Sequence, residues 1–293
     1  MTKRLTVQAP AKVNLVLQVL GKRTDGYHDV RTVLQSVDLC DEVSVELGGT
    51  EIELDVDGPD LGPLDANLAY RAASAFRAAA GFVGGVRITL KKGIPAGAGL
   101  GGGSSDAAAV LACLSDLTGA TGRDELHALA ADLGSDVPFF LGSGTLAVGT
   151  GRGDVLEALP PLPEGHLVVV LTPVQVSTAV AYAALAEARG RAVEPPAPVE
   201  TSARSWDDVR SAAFNDFEEV VASMHPEIER ALRALSDAGA AFALLAGSGG
   251  ACFGFFDDRD HAVRVATDLS EELGWSCVPV RTLAERPLPA ARP

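Results

Sequence analysis

The chain has 293 residues, 47% hydrophobic and 22% charged, which excludes wholesale disorder and suggests two packed domains. With 24 Lys and Arg against 39 Asp and Glu, the net charge of −15 argues against a broad nucleic-acid-binding surface and leaves room for a local cationic pocket that takes a small anion. Cys40, Cys113, Cys252 and Cys277 are too scattered for a disulfide framework or a zinc knuckle, and no secretory signal or membrane span is expected.

In chain order, Val13, Leu15, Leu17 and Val19 alternate with Lys12, Asn14, Val16 and Gln18, the pattern of a strand with two different faces. A turn at Thr24-Asp25-Gly26 follows, then strands at Val30–Leu39, Glu42–Leu47 and Glu51–Val56. Next come an Ala-rich helix over Ala66–Ala80 with Asn67 near its start, and a strand at Val86–Leu90. A Gly-rich loop, 93–105, leads into a helix from about Asp106 to Leu117. Another helix over Asp124–Leu133 ends at Gly134. Strands near Thr145–Val148 and Leu167–Leu171 precede a Pro-rich excursion at Arg189–Ser205. The second half reads helix (Glu227–Asp237), strand (Phe242–Leu245), Gly loop, strand (Cys252–Phe256), helix (His261–Leu273) and strand (Cys277–Val280). This is an α+β pattern, divided as 1–160, 161–285 and a Pro-rich tail, 286–293, expected to fray.

The loop Pro95-Ala96-Gly97-Ala98-Gly99-Leu100-Gly101-Gly102-Gly103-Ser104-Ser105 carries the strongest chemical signal. Its glycines let backbone N–H groups turn toward a ligand, and the helix behind it offers a positive end to phosphate. A flexible linker with Ser105 as helix cap is the plainer reading, but it does not require this density of glycines. No Lys follows as in a Walker A loop. The G-x-G-x-x-G spacing at Gly97, Gly99 and Gly102 lacks the adjoining strand and acidic residue of a dinucleotide site. Lys12 and Asn14 share a strand face, where Lys12 is either a snorkelling surface residue or a functional cation. Asp136 in Gly134-Ser135-Asp136-Val137-Pro138 is either a helix cap or a general base. Tyr27 and His28, beside a tight turn, have the chemistry to stack on a planar base and hydrogen-bond its edge.

Taken together, Pro10-Ala11-Lys12-Val13-Asn14-Leu15, the Pro95–Ala109 loop and Ala246-Gly247-Ser248-Gly249 resemble the three signatures of the galactokinase, homoserine kinase, mevalonate kinase and phosphomevalonate kinase superfamily. Gly26-Tyr27-His28, Ser135-Asp136-Val137-Pro138, Gly151-Arg152-Gly153, Val176-Ser177-Thr178 and Asn215-Asp216-Phe217-Glu218 resemble the branch that acts on a cytidine-diphosphate-linked methylerythritol. The resemblance covers residues 6 to 282. It implies a two-domain fold, N-terminally like domain 2 of ribosomal protein S5 and C-terminally ferredoxin-like. It also implies ATP with Mg2+, and transfer of the γ-phosphoryl group to the acceptor's 2-hydroxyl in the non-mevalonate route to isoprenoid precursors.

By the same resemblance Asp136 is the base with Lys12 beside it. Asn67, Lys92, Pro95, Gly97, Gly99, Leu100, Gly101, Gly102, Gly103, Ser104 and Ser105 hold the nucleotide. Asn14, Tyr27, His28, Thr178, Gly247, Ser248 and Gly249 border the acceptor, and no metal ligand is assigned. Ala246 stands where the third signature often has a hydroxyl residue. A cytoplasmic enzyme, monomeric or weakly dimeric, is expected. The rival readings are a sister kinase for homoserine, mevalonate or a sugar, and a nucleotide-binding regulator without catalysis.

Overall fold

The computed structural model describes residues 3–142, 144–190 and 203–291. Residues 191–202, the greater part of the Pro-rich excursion, lie outside them. Two long strands organise the first half: β1 (Arg4–Lys22) and β2 (His28–Leu47) pair antiparallel from Arg4↔Glu46 to Lys22↔His28. The sequence reads as two strands between residues 30 and 47, but β2 is continuous. Its partner jumps from Pro10↔Cys40 to Ala11↔Val37, and an irregularity of this kind lets a strand bend without ending.

β3 (Ile52–Asp57), α1 (Leu68–Ala80) and β4 (Val86–Lys91) follow, then α2 (Gly102–Thr118), α3 (Arg123–Leu133) and α4 (Val137–Leu141). β5 (Leu146–Thr150) and β6 (Val155–Ala158) complete a hairpin. The eight-stranded sheet has the path β12-β1-β2-β4-β3, β12 being Ala290–Ala291, with β5 on β2, β6 on β5, and β8 (Phe214–Asn215) parallel to β1. α1 and α2 cover it, burying Phe76, Leu111 and Leu114 against Val43, Val45, Ile88 and Leu90, and α3 and α4 pack on those two helices.

The second half contributes β7 (His166–Leu171), α5 (Thr178–Arg189), α6 (Trp206–Ala212), α7 (Glu218–Met224), α8 (Pro226–Asp237), β9 (Phe242–Leu245), β10 (Ala251–Phe256), α9 (Arg259–Leu273) and β11 (Ser276–Arg281). Its four-stranded antiparallel sheet has the order β11-β7-β10-β9, the split arrangement of a ferredoxin-like fold. Leu167, Val169, Phe253 and Phe255 pack toward Ala11, Val13 and Leu15 of β1. Val168, Val170 and Phe256 face Ile228, Leu235, Val265 and Leu269 on α8 and α9. A strand covered on both sides needs apolar residues at every position, which is why Leu167–Leu171 is unbroken.

Two expectations are corrected. The tail does not fray through residue 291: β12 (Ala290–Ala291) pairs with β1 at Thr6 and Leu5, and Arg286 donates to Phe140 O and Leu141 O. Backbone hydrogen bonds and a side-chain anchor hold it where composition alone suggested solvent. Helix α2 begins at Gly102, so Gly102, Gly103, Ser104 and Ser105 form its first turn instead of a loop before it. Tertiary packing offsets the low helix propensity of the two glycines.

Candidate active site

β1 is buried on both faces where it crosses the junction of the sheets. Lys12 and Asn14 are each 4% exposed. Buried polar groups of this kind require partners, and they have them. Lys12 Nζ donates to Asn14 Oδ1 at 2.7 Å, Asn14 Nδ2 donates to Thr32 Oγ1 at 2.9 Å, and Thr32 Oγ1 donates to Val16 O at 2.7 Å. The relay fixes the Asn14 amide so that its oxygen faces the ammonium. Asp136 Oδ2 lies 3.6 Å from Lys12 Nζ. Asp136 occupies the cap position of α4, yet its side chain makes no capping bond, so the carboxylate stays available to the cavity.

The Gly-rich segment is bound to both neighbours through backbone. Lys12 N donates to Leu100 O at 2.9 Å, and Ala251 N donates to Ala98 O at 3.1 Å. A Cβ on Gly99 would stand 2.0 Å from Ala246 O, and one on Gly250 would stand 2.6 Å from Gly97 O. This close approach explains why both motifs are glycine-rich. It also shows Ala246 contributing through its carbonyl, a role that needs no hydroxyl. Gly101 caps α2 in the left-handed region at φ 76° and offers no side chain to the first N–H groups of the helix, which suits that turn to an anion. Ser105 is buried, and its Oγ has no partner among the described residues.

Lys12, Asn14, Asp136, Gly99, Gly101 and Ser104 line a cavity of about 750 Å³, together with an aromatic wall. Tyr27 is half exposed, and the Arg152 guanidinium sits 5.0 Å over its ring. Arg152 is held by Asp154 at 2.6 Å. His28 stacks on Tyr182 with centroids 4.3 Å apart, and Tyr182 meets Phe217 edge-on at 4.8 Å. Burial lowers the His28 imidazole, helped by the Lys22 charge, which favours its neutral form. Burial, with the Asp136 charge, pushes the Tyr182 hydroxyl up to about 12. Thr178 Oγ1 and Ser248 Oγ lie 2.9 Å apart, joining α5 to the third signature.

Of the residues expected from sequence, Lys12, Asn14, Tyr27, His28, Gly99, Gly101, Ser104, Asp136, Thr178, Gly247 and Ser248 line this cavity. Pro95, Gly97, Leu100, Gly102, Gly103, Ser105 and Gly249 do not. Asn67 caps α1, its Oδ1 accepting from Ala69 N at 2.9 Å. Lys92 lies away from the cavity wall, its ammonium buried between Asp41 and Asp106. Asp41 also accepts from Gly93 N and Ile94 N, so this cluster secures the start of the Gly-rich segment. Sequence reasoning missed Thr32, Tyr182 and Phe217 as cavity residues. Only Phe217 carried a local signal, through Asn215-Asp216-Phe217-Glu218. Arg152 had one in Gly151-Arg152-Gly153.

Comparison with known proteins gives the family and the fold. Residues 67–144 match the N-terminal domain of GHMP kinases, and residues 199–274 match the C-terminal domain. Fold and cleft thus define a GHMP-class small-molecule kinase. A protein of Geobacter sp. (strain M21), named 4-diphosphocytidyl-2-C-methyl-D-erythritol kinase, is 41% identical over 96% of this chain and 100% of its own. One of the same name from Mycolicibacterium gilvum (strain PYR-GCK) is 41% identical over 92% and 87%. The crystal structure of a 4-(cytidine 5'-diphospho)-2C-methyl-D-erythritol kinase superposes with a TM-score of 0.80 at 37% identity, covering 94% of this chain and 98% of that one. Homoserine kinase from Cytophaga hutchinsonii, at 18% identity and a TM-score of 0.72, shares the fold. The chain belongs to the 4-diphosphocytidyl-2-C-methyl-D-erythritol kinase family. Among the described residues no helix is long and apolar enough to cross a membrane.

Proposed function

We propose that the protein uses ATP to phosphorylate the 2-hydroxyl of 4-diphosphocytidyl-2-C-methyl-D-erythritol, giving the 2-phosphate and ADP for isoprenoid precursor synthesis. The observation that carries this reading is the single cavity that joins Lys12 and Asp136 to the Tyr27, His28 and Tyr182 wall beside the Gly-rich segment. The aromatic wall suits a cytosine, which an acceptor such as homoserine or mevalonate lacks. Residues 1–160 supply the phosphate cradle and the catalytic pair, and residues 161–285 supply Thr178, Tyr182 and the third signature.

The triphosphate rests on the Gly-rich backbone and the open first turn of α2. Asp136 takes the proton from the 2-hydroxyl as that oxygen bonds to the γ-phosphorus. The bond from the γ-phosphorus to the bridging oxygen breaks, and ADP leaves with the electron pair. Lys12 steadies the charge that develops on the attacking oxygen, and its Asn14 and Thr32 relay keeps it in place.

Among the described residues no group of three or more His, Cys, Asp or Glu side chains is arranged to hold a metal ion. The site fits a Mg2+ carried mainly by phosphate oxygens, with the Ser104 hydroxyl on the cavity wall as a protein donor. Bound there, the ion would neutralise phosphate charge. ATP as donor and four free cysteines support a cytoplasmic setting.

The test is ADP release from Mg·ATP with the cytidine acceptor, homoserine, mevalonate and galactose offered separately. Turnover with the cytidine acceptor alone is expected. Turnover with another acceptor and none with this one would overturn the substrate assignment while keeping the kinase chemistry. ATP binding without any turnover would favour the regulator.

A further inference from the structure

Asn215-Asp216-Phe217-Glu218 is the sequence motif that the chemistry above leaves without a role. It begins on β8, which runs beside β1 with Val16↔Phe214 and Leu17↔Asn215. Asn215 is buried and donates through Nδ2 to Leu245 O and Gly247 O, both at 2.8 Å. Phe217 presents its ring to Tyr182, and Glu218 Oε2 accepts from Leu245 N at 3.1 Å. Asp216 reaches furthest. Its backbone N donates to Leu17 O at 2.9 Å, Oδ2 accepts from Val19 N at 2.6 Å, and Oδ1 pairs with Arg189 at 2.6 Å. The same guanidinium donates to Val19 O at 2.5 Å.

Arg189 is the last residue of α5, the helix that starts at Thr178 and carries Tyr182. This helix is thinly held. It buries only Ala181 and Leu185 fully, and its Ser177 cap makes no side-chain bond. Few apolar contacts mean that its position depends on the attachment of its ends. At one end stands the Thr178–Ser248 contact, and at the other the triangle of Arg189, Asp216 and Val19. The triangle lies on β1 itself, seven residues beyond Lys12 by number.

Building on the acceptor site proposed above, we infer that Asp216 and Arg189 are positioning residues for the acceptor. Their ion pair on Val19 sets where α5 stands relative to Lys12, and so sets the spacing between the aromatic wall and the catalytic pair. Neither side chain lines the cavity, and neither touches the Gly-rich segment. Their influence therefore falls on the acceptor half of the cleft.

The discriminating variant is Asp216→Asn, which keeps the shape and an oxygen for Val19 N and removes the charge facing Arg189. We expect the KM for the cytidine acceptor to rise about tenfold, with the KM for ATP changed less than about twofold. Arg189→Met should reproduce this split, and the double variant should be no worse than either single change. Hydrogen exchange, which needs no substrate, should show faster exchange of α5 amides in Asp216→Asn with α2 unchanged. Equal increases in both KM values, an unchanged acceptor KM in a folded variant, or unaltered α5 protection would each overturn the inference. Absence of turnover by the unmodified enzyme would count against the proposed substrate instead, and the exchange experiment alone would then decide the role of the pair.

Discussion

Lys12 and Asp136 face each other at 3.6 Å with very unequal access to solvent, their side chains being 5% and 36% exposed. The ammonium spends its short hydrogen bond on Asn14, so the carboxylate is attracted to the positive charge without being capped by it. A carboxylate in a tight ion pair is a poor proton acceptor; one at this distance keeps a lone pair for the acceptor hydroxyl. Asp136→Asn should lower kcat about 10²–10⁴-fold and leave ATP affinity nearly intact. Steady-state rates beside nucleotide titration check this, and unchanged turnover in the folded variant would reject Asp136 as the base.

Thr32 is the hinge of the relay behind Lys12, accepting from Asn14 Nδ2 and donating to Val16 O. Thr32→Val leaves the buried Asn14 amide and the Val16 carbonyl without that hydroxyl. It should cost about 1–3 kcal/mol of stability. Denaturant unfolding measures this, and kcat should fall with little change in the KM for ATP.

Gly99→Ala meets two obstacles at once: a φ of 78° and a Cβ position 2.0 Å from Ala246 O. The backbone carbonyl is not a flexible side-chain end that can swing away. A loss of about 1–3 kcal/mol is expected, together with weaker ATP binding as the two loops separate. Urea melts and nucleotide calorimetry on the same preparation test both effects.

Asp106 predicts a pH dependence. Asp41 shares Lys92 and has two backbone N–H donors besides, whereas Asp106 Oδ1 has no partner among the described residues. Burial first, and then the Asp41 charge, outweigh Lys92 and push the Asp106 carboxyl up to about 7. The folded state therefore binds this proton more tightly than the unfolded chain. That contribution to stability is complete below the ordinary carboxylate range and is lost as pH rises through about 7. Asp106→Asn has no proton to lose and should flatten the decline in melting temperature between pH 5 and pH 8. Parallel pH profiles for the two proteins would contradict the assignment.

Tyr182 was invisible as a site residue because a lone Tyr in an Ala-rich helix has no local signature. Tyr182→Ala should raise the KM for the cytidine acceptor, and the Tyr27→Ala, His28→Ala double variant should do the same, with the ATP KM held. A loss confined to ATP binding would move the aromatic wall to the nucleotide half of the cleft.

The linear chain already determined whatever depends on neighbours in sequence. The alternating β1, the glycine density before α2, the helix periods of α8 and α9 and the alternation of sheet and helix in the second half are all local patterns, and they specified the α+β class and the glycine-rich segment proposed for phosphate. The pairing of Lys12 with Asp136, the enclosure of Lys92 by Asp41 and Asp106, and the attachment of Arg189 to Val19 through Asp216 join residues far apart in the chain. The return of the tail to β1 is of the same kind. A buried charge reads in sequence like a surface one, and only its partners in space reveal which it is. Sheet register and helix docking decided those partners, because burial on both faces of β1 and close backbone approach at Gly99 are properties of the packed chain.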